Sequence, residues 1–178
     1  MKGKPRIRAF FAMSLDGFIA GPNDELDWLN VAEGAEDTFT PFIQQIGALL
    51  MGRRSYDVAS SFDVPWPYGE VPVLVTTHRE LKPKTPSISA CAGSIAELVE
   101  KAKAVAAPKD VYIDGGQLIR QALDAGLVDE ITATVIPTIL GKGIPLFQGA
   151  AEKHGLEFIS QRPLGKGLVE LVYRVKRE

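Results

Sequence analysis

The sequence predicts an α/β fold in three layers: a mostly parallel central sheet, helices on both faces and an antiparallel hairpin at the C-terminal edge. Three observations predict it. Short apolar runs alternate with stretches of helical periodicity for most of the chain, the pattern of a sheet buried on both faces. Glycines mark two strand-to-helix junctions, at Gly52 and at Gly115-Gly116. Near the C-terminus, residues 155–161 and 168–175 bracket Pro163-Leu164-Gly165-Lys166-Gly167, a hairpin signal.

Ile7 to Met13 is the first strand, ended by the Asp16-Gly17 turn. Gly21-Pro22-Asn23-Asp24 is a second turn. It opens an acidic connection to about residue 37 that contains Trp28, and long connections inside compact domains are often functional. Thr40-Pro41 reads as an N-cap followed by proline at the first helical position, with Phe39, Phe42, Ile43 and Ile46 as the apolar stripe and Gly47 as the stop. Ala48 to Met51 is a buried strand, and Gly52-Arg53-Arg54-Ser55 leads into a helix through about Ser60. Phe62 to Glu70 holds two prolines and is loop. Val71 to Thr76 and Ser87 to Ala90 are strands, which makes Cys91 a buried structural thiol.

Ser94-Ile95-Ala96-Glu97 is a capping box. Ile95, Leu98, Val99, Ala102 and Val105 follow at helical spacing. Asp110 to Ile113 is a strand, and Gln117 to Ala125 a helix that turns Leu118, Ile119, Ala122 and Leu123 inward before Gly126 stops it. Glu130 to Ile136 is the next strand. No repeat, low-complexity tract or linker interrupts the chain, so one domain over residues 1–178 is expected.

Composition narrows the function. The 178 residues carry a net charge of −2, without the basic excess of a nucleic-acid or anionic-membrane binder. No run approaches the roughly 18 apolar residues of a membrane span. The N-terminal apolar stretch, broken by Ser14, Asp16 and Gly17, reads as strand rather than signal peptide. One cysteine allows no intrachain disulfide, in keeping with a reducing compartment, and a cytoplasmic location is expected. Two distant histidines and no cysteine cluster argue against a metal site. The G-x-G-x-x-G, P-loop and G-x-S-x-G patterns are absent. An enzyme so equipped would leave its difficult chemistry to a diffusible cofactor.

Two junctions carry that possibility. In Met51-Gly52-Arg53-Arg54-Ser55, glycine allows close approach, the helix start offers free N–H groups, and two arginines stand where the helix dipole disfavours them. In Asp114-Gly115-Gly116-Gln117-Leu118, paired glycines separate a buried strand from a helix. Taken singly, these are also explained by solvated arginines and by turn sterics. Two such sites in one parallel sheet point to a dinucleotide lying across the carboxyl ends of the strands.

Ordered along the chain, five segments resemble the dihydrofolate-reductase-like family, in particular the branch related to the reductase domain of riboflavin biosynthesis. They are Met13-Ser14-Leu15-Asp16-Gly17-Phe18-Ile19-Ala20, Met51-Gly52-Arg53-Arg54-Ser55-Tyr56, Asp114-Gly115-Gly116, Leu127-Val128-Asp129-Glu130, and the stretch from Ile136 to Phe147. The resemblance covers nearly the whole chain. It implies an NADPH-binding sheet and hydride transfer to a polarised C=N or C=O of a pteridine or pyrimidine. Ala12 and Ile19 would offer backbone groups to the nicotinamide carboxamide. Gly52, Arg53, Arg54 and Ser55 would hold phosphates, Arg53 the 2′-phosphate. Thr76 and Thr77 would sit by the adenosine ribose, with Arg79 adding charge. Gly115, Gly116, Gln117 and Leu118 would cradle the pyrophosphate, the glycines joined by a cis peptide as in similar proteins.

For the proton, the resemblance offers Asp27, Glu36 and Asp37. Counting back from Gly52 to the carboxylate that holds the pterin in folate reductases reaches Glu36 or Asp37, although acidic residues at a helix start also favour its dipole. Trp28 would wall the substrate pocket, with Asp27 touching substrate, or both would only fix the loop. Asp16 is a substrate-side candidate or simply the turn partner of Gly17. A homodimer is expected. The alternative is a nucleotide-binding protein of the same fold without turnover, and a weaker one an assembly component whose surface matters more than its pocket.

Overall fold

In the computed structural model, which describes residues 3–177, the apolar runs become eight strands of one sheet and two of a small second sheet. The large sheet contains β1 (Ile7–Ser14), β3 (Ile46–Gly52), β4 (Val73–Thr76), β5 (Ile88–Cys91), β6 (Asp110–Asp114), β7 (Glu130–Ile136), β9 (Leu156–Gly165) and β10 (Leu168–Val175). Their order is β5-β4-β3-β6-β1-β7-β10-β9. The pairs from β5 to β7 are parallel, while β10 runs antiparallel to β7 and β9. The hairpin closes through Lys166 and Gly167, both at positive φ, as a two-residue turn between strands of right-handed twist requires.

Alternation along each strand divides the core. In β3, Ala48 and Leu50 face α3 (Ile95–Ala106) and α4 (Gly116–Asp124), while Leu49 and Met51 face α1 (Phe39–Ile43) and α2 (Arg53–Ser61). Leu49 and Leu50 are both fully buried, each contributing about 1.5–3 kcal/mol of hydrophobic stabilisation. The strand therefore reads as a continuous apolar run because both its faces are covered. The Ser94 capping box forms: its hydroxyl accepts from Glu97 N at 3.3 Å, and the Glu97 carboxylate accepts from Ser94 N at 2.8 Å.

The structure corrects the sequence at four places. Helix α1 is a single turn opened by Asp37 rather than Thr40, and Ile46 and Gly47 belong to β3. Gly47 is glycine for closeness, not as a helix stop: a Cβ there would lie 2.0 Å from the Ala106 carbonyl oxygen at the end of α3. Val105 is exposed, and Ala106 takes the inward position. The short strands β2 (Phe18–Ala20) and β8 (Ile144–Pro145) pair antiparallel and were not foreseen. The one cis peptide among the described residues is Ala107–Pro108, so the Gly115–Gly116 bond is trans.

No helix among the described residues is long and apolar enough to cross a membrane.

Candidate active site

The carboxyl ends of β1, β3, β4 and β6 open onto a cleft of about 990 Å³. Helices α2, α3 and α4 all start around it. A helix start leaves four backbone N–H groups without intrahelical partners. At α3 the Ser94 box meets that need, but no side chain caps α2 after Gly52 or α4 after Gly115. Both uncapped starts face the cleft, a ready site for an anion.

The two starts are also neighbours. A Cβ placed on Gly115 would lie 3.0 Å from Ser55 Oγ and 3.4 Å from Gly52 N. Gly115 adopts φ 110 and ψ 126, a conformation foreign to L side chains. The pairing follows from the sheet, where Met51 stands in register with Asp114. A Cβ on Gly116 would sit 3.1 Å from Ile19 Cδ1, so β2 walls the same turn.

Cations collect on the α2 side. Arg53 is braced by Asp57 through Nε at 2.8 Å and donates through Nη1 to Thr77 Oγ1 and the Glu80 carbonyl, both at 3.0 Å. Arg54 forms a forked ion pair with Asp24 of the 21–37 connection, closest at 2.9 Å. Arg79 shares Asp57 at 3.5 Å. Ala12, Ile19, Thr76 and Thr77 line the cleft, as do Gly52, Arg53, Arg54 and Ser55 at one helix start and Gly115, Gly116, Gln117 and Leu118 at the other.

The expected acids lie elsewhere. Asp27 is exposed in the first turn of a 3-10 helix (Asp27–Ala32) and does not line the cleft. Glu36 pairs with Arg162 at 2.9 Å on the surface. Asp37 accepts from Phe39 N at 2.9 Å and from the Thr40 hydroxyl, and these bonds, the hydroxyl's first, hold its carboxyl below the usual range. Asp16 accepts from Ser14 Oγ at 2.6 Å and from Leu140 N and Gly141 N, tying the turn after β1 to the loop before β8. Trp28 is buried against Ile136, Leu164 and Leu168, with its indole N–H on the Glu25 carbonyl at 3.1 Å. The connection reaches the cleft through Asp24, Leu26 and Leu29 instead.

Two carboxyls do line the cleft: Asp24, paired with Arg54, and Asp114, the last residue of β6. Burial pushes the Asp114 pKa up to about 6, partly offset by the neighbouring Gly115 N–H. Beside it stand Tyr112, whose hydroxyl donates to the Phe10 carbonyl at 3.0 Å, and Tyr68, whose hydroxyl has no hydrogen-bond partner among the described residues. Burial and then the Asp114 charge raise both phenols. Trp66, by contrast, packs between Tyr56 and Tyr68. An acid directly before paired glycines, at the carboxyl end of a buried strand, was the available sequence signal for Asp114.

Known proteins share this architecture. The uncharacterized Bacillus subtilis (strain 168) protein YyaP is 32% identical over 185 residues, 94% of each chain. A Shewanella sp. PV-4 protein provisionally assigned to riboflavin biosynthesis superposes with a TM-score of 0.85 at 29% identity, covering 97% of this chain and 99% of its own. Dihydrofolate reductase from Enterococcus faecalis, solved with NADP(H) and RAB-propyl, superposes at 0.65 over 97% of this chain and 95% of its own with 16% identity, a likeness of fold. The fold is dihydrofolate-reductase-like. The model of the RibD C-terminal domain matches residues 5–169, almost all of the sheet and both glycine turns of the cleft, and the chain belongs to that family.

Proposed function

We propose that the chain is an NADPH-dependent reductase that transfers hydride to a pyrimidine- or pteridine-type heterocycle. The observation that carries this reading is the adjacency of two uncapped, glycine-opened helix starts on one cleft. A dinucleotide diphosphate fits them chemically: the space a Gly115 Cβ would fill is where a phosphate could approach the amides of both turns. In this reading the α2 and α4 amides hold the diphosphate, and Arg53 holds the 2′-phosphate with a guanidinium already oriented by Asp57 and Thr77. Ala12 and Ile19 present backbone groups to the carboxamide.

When bound, the cofactor supplies hydride from C4 of its nicotinamide. The chain's own part is to orient the acceptor, keep water away and hold a proton. Phe10, Leu26 and Leu29 line the cleft with apolar surface. Asp114 is the cleft carboxyl without a cation partner among the described residues, and a pKa near 6 suits it to give a proton to a ring nitrogen as hydride arrives. Asp24, the other carboxylate of the cleft, is neutralised by Arg54.

The location of Asp27, Glu36 and Asp37 outside the cleft favours a second reading, nucleotide binding without turnover. One experiment separates the two: titration with NADPH and NADH, then loss of nicotinamide absorbance with a panel of dihydropterins and aminopyrimidines. Oxidation of NADPH supports the reductase, and binding without oxidation supports the second reading. Equal affinity for NADPH and NADH refutes the role given to Arg53. We also infer a homodimer, because the edge strand β9 exposes Leu156, Phe158 and Ile159, and light scattering tests it.

A further inference from the structure

We propose that the hydride acceptor is a flat heterocycle bearing no phosphate or carboxylate, recognised through ring N–H groups by Asp114 and Tyr68. This rests on the reductase reading above and adds the substrate's charge and shape to it.

Charge decides the first part. Among the described residues, five basic side chains line the cleft: Arg53, Arg54, His78, Arg79 and Arg120. Arg53, His78 and Arg79 gather where α2 meets the end of β4, the nucleotide side. Arg54 is neutralised by Asp24, and Arg120 spends Nη1 on the Pro145 and Leu146 carbonyls at 3.1 and 2.8 Å. The acceptor side lies on the α1/α2 face, where Phe10, Tyr68 and Tyr112 belong to one core cluster. Val58 and Phe62 join from α2, and Leu26 and Leu29 from the connection. None of these carries positive charge, and the one carboxyl among them, Asp114, is half-buried. A phosphate here would lose water, gain no guanidinium or ammonium, and face a like charge whenever Asp114 is ionised.

Chemistry and shape decide the rest. Protonated or ionised, the Asp114 carboxyl keeps an oxygen that accepts a hydrogen bond, so it calls for an N–H donor on the ligand, and the protonated form adds the O–H that the reductase reading uses. The Tyr68 hydroxyl, free among the described residues, can donate or accept beside it. Aromatic walls favour a planar partner. Amino-substituted pyrimidine and pterin rings meet all three demands.

Calorimetry on the full chain saturated with NADP+ tests this. The probes are two matched pairs, 7,8-dihydroneopterin with its 3′-phosphate and uridine with uridine 5′-monophosphate. The expected result is binding of an unphosphorylated member about tenfold or more tightly than its phosphate. Val64→Lys, which puts an ammonium at an exposed position of the cleft wall, is expected to narrow that gap. Equal or tighter binding of a phosphate by the wild-type chain overturns the proposal, as does binding of neither member of either pair. Failure of NADP+ itself to bind overturns the reductase reading and this inference with it. NADP+ binding with phosphate preference overturns this inference alone.

Discussion

Replacing Gly115 with alanine tests the geometry on which the cofactor assignment stands. Two separate penalties are expected. The first is conformational: at φ 110 and ψ 126 an L residue is outside even the left-handed helical basin. The second is steric, since the new Cβ would lie 3.0 Å from Ser55 Oγ, which can rotate away, and 3.4 Å from Gly52 N, which as backbone cannot. Together they are expected to cost about 2–3 kcal/mol of stability. For a chain of this size that lowers the melting midpoint by about 4–12 °C. The methyl group would also occupy the approach of the diphosphate, so NADPH affinity is expected to fall by about 10–100-fold. Gly126→Ala is the matched control. Gly126 has φ 68 and nothing within 4 Å of an added Cβ, so the strain is present without the collision and away from the cleft. It should lose about 1 kcal/mol and bind NADPH as the wild type does. Melts followed by NADPH titration of the three proteins separate the effects. A Gly115→Ala protein that binds NADPH with wild-type affinity would refute the reasoning.

Asp114→Asn removes the proton held in the cleft, and turnover is expected to collapse while NADPH binding persists. The linkage sign follows from a raised pKa: Asp114 adds no penalty below its ordinary value of 3.8, and destabilises the fold progressively as pH rises toward about 6. Denaturant titrations from about pH 4 to 7 should therefore show a decline in wild type that the variant lacks, and wild-type turnover should fall above about pH 6. Arg53→Ala is expected to weaken NADPH by roughly 10–100-fold and leave NADH nearly unchanged, as loss of a charged hydrogen-bond partner for the 2′-phosphate predicts. Comparable loss for both nucleotides would contradict that role. Glu36→Gln should change neither turnover nor stability by more than about 0.5 kcal/mol, since its pair with Arg162 is exposed. Asp37→Ala should cost about 1 kcal/mol through lost capping and leave kcat alone.

What the sequence made legible was local. The capping box at Ser94, the inward stripe of α4, and strand β7 from Glu130 to Ile136 all emerge from spacing alone, and all form. The glycine turns were legible as helix openings, and sheet register then puts them side by side. Long-range causes were hidden. Gly47 looks like a helix stop because the carbonyl that requires a glycine there lies 59 residues later, at Ala106. The pairing of β2 with β8 joins segments too short to announce themselves. The acids diverge for a related reason: counting along the chain reaches Glu36 and Asp37, whereas position in the sheet brings Asp114 to the cleft. Glu36, drawn to Arg162, and Asp37, drawn to the first turn of α1, already have partners.

The place of β1 in the sheet bears on how the molecule is made. It is synthesised before both of its neighbours, which pair through Val111–Ile113 and Glu130–Ile136. Ile7 pairs with Val111, 104 residues further on, so that stretch must be synthesised before this apolar segment finds either edge. Until then it is a sticky, half-finished template that invites aggregation or chaperone capture. Since Ala12 of that strand forms part of the cleft, ligand affinity would arrive all at once and late, a sign that the centre of the sheet has closed.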